Sequence, residues 1–370
     1  MNDINVDLIF NGQAQGAVAR MLANNGKLDV GRMRPFVDQY GRSCVTVYMG
    51  GNPKKKESWR TLVTNAGATL RREEWKALDE AIMEPARSRL GGINDLTSKN
   101  LVYNLGNAMG TTVLEWHDVN EALEAEMTMD GITRAKNDRV TFQHNYLPLP
   151  IIHADYEINT RELAASRNLG NPLDTTMAER AARKVLEKLE ALLFTDNTYS
   201  FGEKDSRLRN SIYSYVNFPD RVPVKLSIPW NNSACTRKMI VQDVLEMKQD
   251  SIANKHYGPW TLYIPTTYET VLDEDYVGSN PDTAPTVTIR KRILDIDGVN
   301  EIKVSDTLAD DNVLMIQMTR DVIRLVRGMG LQNVQWSEEG GMVTKYKVMT
   351  IQVPQIRSDA YGKTGIIHLA

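Results

Sequence analysis

The order of periodicities along the 370-residue chain predicts an α+β fold. Strict two-residue alternation marks a strand at 152–159, three-to-four spacing marks a long helix at 174–194, and from Asn312 onward the chain reads mostly as strands. Helical and strand signals come in blocks rather than in the βαβ rhythm that builds a parallel sheet.

Residues 1–68 stand apart from the rest of the chain. They carry nine basic and five acidic residues, a balance of +4 against −7 for the remainder, and few apolar positions repeat apart from "CVTVYM". This composition predicts an extended N-terminal arm rather than an independent domain. A helix is expected from Thr69, with Trp75, Leu78 and Ile82 on one face, Glu73 and Glu74 in its first turn, and Pro85 ending it near Glu84. The stretch "SKNLVYNLGNAMGTT" then reads as loop.

From Val113 to Tyr146 the sequence suggests a two-stranded ribbon turning at Asp130-Gly131, with Lys136–Asp138 as a rival turn. Polar residues occupy both faces of its outer part, and a lone ribbon of that kind is marginal in water. It therefore needs a partner to cover its large apolar groups: Trp116, Leu123, Met127 and Met129. Pro148 and Pro150 come next. They cannot donate a ladder hydrogen bond, so they belong at the mouth of the next strand, where they would stiffen the base of the ribbon.

In that strand Ile152, Ala154, Tyr156 and Ile158 face one way, and His153, Asp155, Glu157 and Asn159 face the other. In the helix after it, Ala178, Ala181, Ala182, Val185, Leu189 and Leu192 form an apolar stripe, and Thr176 with Glu179 matches a capping box. A second amphipathic helix is expected over 236–253, around Ile240, Val244 and Met247, before the short buried strand "PWTLYIP". Strands "VLMIQM", "VIRLVRG" and "YKVMTIQVPQIRS" close the chain.

Composition excludes several classes. A net charge of −3 gives no basic surface for displacing counterions from nucleic acid. Two cysteines, Cys44 and Cys235, form neither a disulfide framework nor a zinc ribbon. The first ten residues lack the basic start of a secretory signal, and no apolar run reaches the roughly 20 residues that span a bilayer. The expectation is a cytosolic, soluble chain.

No constellation supports catalysis. His153, Asp155 and Glu157 resemble ligands on one strand face, but alternate strand residues lie about 6.6 Å apart, too far for one ion to gather all three unaided. A metal-dependent hydrolase on these residues is the weakest reading. The five histidines fall into no ligand motif, "GGNPKKKES" lacks the glycine and strand of a phosphate loop, and "RGMGLQ" reads as a turn. No cofactor or metal site is expected.

The run "LPLPIIHADYEINTRELAASRN" into "NPLDTTMAERAARKVLEKLEALLF" resembles the major capsid proteins of tailed phages with the Hong Kong 97 fold, and the related encapsulins. "EEWKALDEAIMEPARSRLGG" upstream, with "YSYVNFPDR", "YGPWTLYIPTTYETVL" and "MTIQVPQIRS" downstream, extends the resemblance over about residues 70–370 in matching order. It departs at the N-terminus, where encapsulins begin close to the Trp75 helix and this chain adds nearly seventy residues. A virion subunit is therefore favoured over a cargo compartment.

The resemblance implies a division into N-terminal arm (1–68), P-domain (69–105, 148–199 and 320–347), E-loop (106–147), A-domain (200–319) and a closing A-domain strand (348–370). It implies a major capsid protein, not an enzyme, self-assembling as hexamers and pentamers into an icosahedral head in the host cytoplasm. Scaffold, portal and decoration proteins would be its partners, and packaged DNA would touch it only non-specifically. Trp116, Leu123, Met127, Met129, Asp130 and Gly131 would contact the adjacent subunit, with Pro148 and Pro150 as hinge. The alternative is an encapsulin-type compartment around an enzyme cargo.

Overall fold

The computed structural model describes residues 36–48, 52, 54–63, 70–89, 91–106, 109–119, 142–169, 175–196, 198–202, 210–276, 287–338, 342–359 and 361–370. Most of the arm (1–35) and the outer ribbon (120–141), with Leu123, Met127, Met129, Asp130, Gly131 and the rival turn, lie outside them.

In chain order the elements are β1 (Phe36–Val37), β2 (Ser43–Tyr48), β3 (Trp59–Val63), α1 (Arg72–Arg89), α2 (Gly91–Ser98), β4 (Val102–Asn104), β5 (Val113–Val119), β6 (Phe142–Pro148), β7 (Ile152–Asn159), α3 (Thr160–Leu169) and α4 (Thr176–Phe194). Next come β8 (Tyr199–Phe201), β9 (Asn210–Ile212), β10 (Val222–Val224), α5 (Arg237–Ala253), β11 (Trp260–Pro265), α6 (Glu269–Leu272), β12 (Asp275–Tyr276), β13 (Val287–Thr288) and α7 (Ile289–Leu294). Strands β14 (Val299–Ser305), β15 (Val313–Gln317), β16 (Ile323–Glu338), β17 (Val343–Ile356) and β18 (Ile366–Leu369) complete the fold.

A four-stranded sheet in the order β4-β16-β17-β7 carries α1 and α4 on one face. The alternation read in β7 holds: Tyr156 is buried while His153, Asp155, Glu157 and Asn159 are exposed. Tyr156 stacks on Tyr346 of β17 at 5.0 Å between ring centroids, and Trp75 of α1 meets Tyr346 edge-on at 6.0 Å. Ala178, Ala181, Ala182 and Val185 join the same core, where small side chains let α4 lie close to the sheet. The second sheet, β10-β18-β15-β11-β14, packs beside α5 and α7 around Ile240, Val244, Met247, Ile289 and Ile293.

The two bodies meet along α2. Asp95 accepts a hydrogen bond from the Tyr263 hydroxyl at 2.9 Å and faces Lys303 Nζ at 3.4 Å. Glu190, buried in α4, accepts from the Gly92 N–H at 2.8 Å. A Cβ on Gly92 would stand 2.7 Å from the Phe194 ring, so the closeness of α2 to α4 requires glycine there.

Several sequence expectations are corrected. The second half of the segment read as an extended arm folds into the antiparallel meander β1-β2-β3, tied to the main body where Val37 N–H donates to Leu70 C=O at 3.0 Å. Helix α1 continues through Pro85 to Arg89: a proline removes a single intrahelical bond, and the buried Trp75, Leu78 and Ile82 hold the preceding turns. Part of the stretch read as loop pairs as β4 against β16. The capping box is displaced. Thr175 occupies the cap position in a helical conformation, which does not suit a side-chain-to-backbone cap, and its Oγ1 instead donates to Glu179 Oε1 at 2.9 Å. "RGMGLQ" is not a turn but part of β16, where the register shifts around Met329. Glycines there mark an irregular strand instead of a chain reversal.

Candidate assembly interface

The foot of the ribbon is built by β5 and β6, paired antiparallel from Val113↔Pro148 out to Val119↔Phe142. Residues directly opposite share a face, so the pairing sorts the side chains in two. Leu114, Trp116 and Leu147 turn inward and join Leu149, Ile212, Val326, Met329, Met349, Ile351 and Val353 in one apolar cluster. Glu115, His117 and His144 turn outward and are exposed.

Trp116 is thus half-buried within its own chain. The apolar alternation of Leu114 and Trp116 is too short to be seen in the sequence without the pairing partner. Trp116 anchors the ribbon where it leaves the body. The Leu149 N–H donates to the Thr112 carbonyl at 2.9 Å, closing the foot. Pro148 ends β6 at the last ladder pair and Pro150 lies in the three-residue link to β7, both places where a missing N–H costs nothing to a ladder.

The polar face of β7 is a salt-bridged surface. Asp155 lies between His153 Nδ1 at 3.4 Å and Lys347 Nζ at 3.6 Å, the lysine being its cross-strand partner on β17. An ammonium group already neutralises the carboxylate there.

Two arrangements escaped sequence reasoning. His117 and His144 are 27 positions apart in sequence, yet they stand opposite each other in the ladder with ring centroids 4.4 Å apart and planes at 86°. Glu190 sits inside an apolar stripe as an ordinary helix carboxylate, and only the packing of α2 shows that it is buried.

A helix laid across a four-stranded sheet, a ribbon rooted at that sheet's edge strand, and a second sheet joined through a short helix define the Hong Kong 97-like fold. The chain belongs to the family described as "Family of unknown function (DUF6260)", which matches residues 65–369. Among curated relatives it is 24% identical over 280 residues to the type 1 encapsulin shell protein EncA of Myxococcus xanthus, covering 75% of this chain and 83% of that one. Among solved structures it is similar to the virus-like particle from Pyrococcus furiosus, with TM-score 0.57, 17% identity, and coverage of 80% of this chain and 100% of that one. The capsid of Myoviridae phage XM1 superposes with TM-score 0.53 at 12% identity over 70% of this chain and 85% of the other.

Proposed function

We propose that this protein is a major capsid protein that assembles through many copies of itself into a closed icosahedral shell around the genome of a tailed phage. The observation that carries this reading is the fold, shared over 80% of the chain with a virus-like particle subunit and over 70% with a phage capsid subunit. Shell building is geometric: contacts of a heterologous kind close into rings, and each subunit gains from engaging several neighbours at once. The role is structural rather than enzymatic.

On this reading β5 and β6 are the root of the E-loop, and residues 120–141 are the part that reaches a neighbouring subunit. The P-domain takes α1, α4 and the four-stranded sheet, and the A-domain takes the five-stranded sheet. Strand β17 runs from Val343 to Ile356 within the first sheet, which supports a return to the A-domain after Ile356 in this reading, where the sequence alone suggested 347/348. Pentamers and hexamers, and scaffold, portal and decoration proteins, are the partners such a role entails, with the virion as the location.

An encapsulin-type compartment is the second reading, favoured by the match to EncA. Expression of the full chain followed by electron microscopy and analysis of particle contents tests both. Closed particles are expected, holding DNA in their native setting for the capsid and a single co-purified protein for the compartment. A chain that stays monomeric at high concentration, with and without a co-expressed scaffold, would refute shell building.

A further inference from the structure

We infer that Glu115, His117 and His144 form a binding site for a borderline divalent transition cation of the zinc, cobalt or nickel class, at the foot of the ribbon. The three residues each offer one donor atom, and these atoms all lie within 4.8 Å of one another. His144 Nδ1 is 2.8 Å from Glu115 Oε1, and the His117 ring meets the His144 ring edge-on at 4.4 Å. Glu115 and His144 already touch through a hydrogen bond. The second imidazole makes the set a chelate.

The backbone fixes the arrangement. Glu115 and His117 are alternate residues of β5 and so share a face, while His144 is the ladder partner of His117 on β6. Opposed residues in an antiparallel pair have Cβ atoms about 4.5–5.5 Å apart, a spacing from which two imidazoles can converge on one ion. Metal–ligand bonds of about 2.0–2.2 Å require the donors to adjust from their present separations. Rotation about side-chain bonds supplies that adjustment, since all three side chains are exposed.

The donor set selects the ion class. Two imidazole nitrogens and one carboxylate oxygen suit zinc, cobalt, nickel or copper, whereas calcium and magnesium favour all-oxygen shells. On binding, a proton on His144 Nδ1 passes to Nε2 of the same ring, so that the Nδ1 lone pair and a Glu115 oxygen go to the cation. Three protein ligands leave a further position for water or a donor from another molecule. The ion would bridge the two legs of the ribbon on its outer face, opposite the apolar footing of Leu114 and Trp116. This inference does not rest on shell assembly, and its failure would leave that reading untouched.

The test uses the full-length protein, stripped with a chelator and titrated with Co²⁺ followed by visible absorption, and with Zn²⁺ followed by calorimetry. One ion per chain is expected, with micromolar affinity and a cobalt band in the visible. His144→Ala and His117→Ala should each weaken binding at least about tenfold, the loss that removing even an outer-shell partner brings. His153→Asn, on the neighbouring strand face, should bind as the parent does. Circular dichroism of each variant establishes that the fold is kept, and His117→Gln with His144→Gln provides a second, isosteric removal. Absence of a cobalt band together with absence of zinc heat at sub-millimolar cation would overturn the inference. So would stoichiometric binding that survives the double replacement.

Discussion

Glu190→Gln is the most informative single change in the joint between the two bodies. Glu190 is only 6% exposed. Burial pushes its carboxyl up to about 7; hydrogen bonds from the Gly92 and Ile93 N–H groups oppose this, and the negative charges of Asp95 and Asp306 reinforce it. A folded-state pKa above the ordinary 4.5 means the native chain holds a proton that the unfolded chain has released. The associated stability is therefore complete below about pH 4.5 and lost as pH rises through about 7. At about 1.36 kcal/mol per pKa unit, the loss amounts to about 3 kcal/mol by pH 8. Glutamine keeps an oxygen for the Gly92 N–H and carries no charge. In guanidinium unfolding of unassembled subunits, the stability of the variant relative to the parent should rise by about 3 kcal/mol from pH 4.5 to pH 8. His368 titrates in the opposite sense: burial and the nearby Arg221 lower it to about 4, but it is common to both proteins and cancels in the difference. Parallel pH profiles for parent and variant would refute the reasoning.

Gly298 adopts φ +87°, and a Cβ there would stand 2.4 Å from the Trp260 ring, so Gly298→Ala should cost about 3 kcal/mol from backbone strain and overpacking together; a thermal melt within a degree of the parent would contradict this. Tyr156→Phe removes the hydroxyl that accepts from Asn333 Nδ2 at 2.7 Å in the core, with an expected cost of about 1–3 kcal/mol in chemical unfolding, and a neutral effect would show that the amide finds another partner. Replacing Glu121–Arg139 by a short Gly-Ser linker should leave a folded, soluble subunit, because Leu114, Trp116 and Leu147 keep the root in place. Electron microscopy of that variant should find no shells, and normal particles would sink the assignment of the ribbon.

The parts of the fold legible in the sequence are those whose pattern is local and long. Ile152–Asn159 alternates without a break, and the stripe of α4 runs through five turns, so each could be read alone. What escaped depends on partners distant in the chain. Strand β4 is three residues long and exists because β16 pairs with it; β16 itself is interrupted by glycines that look like punctuation. Helix α2 opens on two glycines and spans eight residues, too short for a periodic signal, and is held by Glu190 about a hundred positions later. The same limit applies to the site. Pro148 and Pro150 announce themselves by chemistry, whereas the inward turn of Trp116 and the meeting of His117 with His144 depend entirely on the register of β5 against β6.

The three-residue link between β6 and β7 makes the ribbon a lever with a short fulcrum. Seven paired residues extend about 23 Å at 3.3 Å each, so a tilt of about 10° at the link moves the far end of β6 by about 4 Å. Small torsions near Leu149 are therefore magnified outward, while Leu114 and Trp116, close to the pivot, move little against the cluster that holds them. The mechanical gain also runs in reverse: a pull on the outer ribbon reaches β7, and through its ladder β17, with its displacement reduced and its force multiplied.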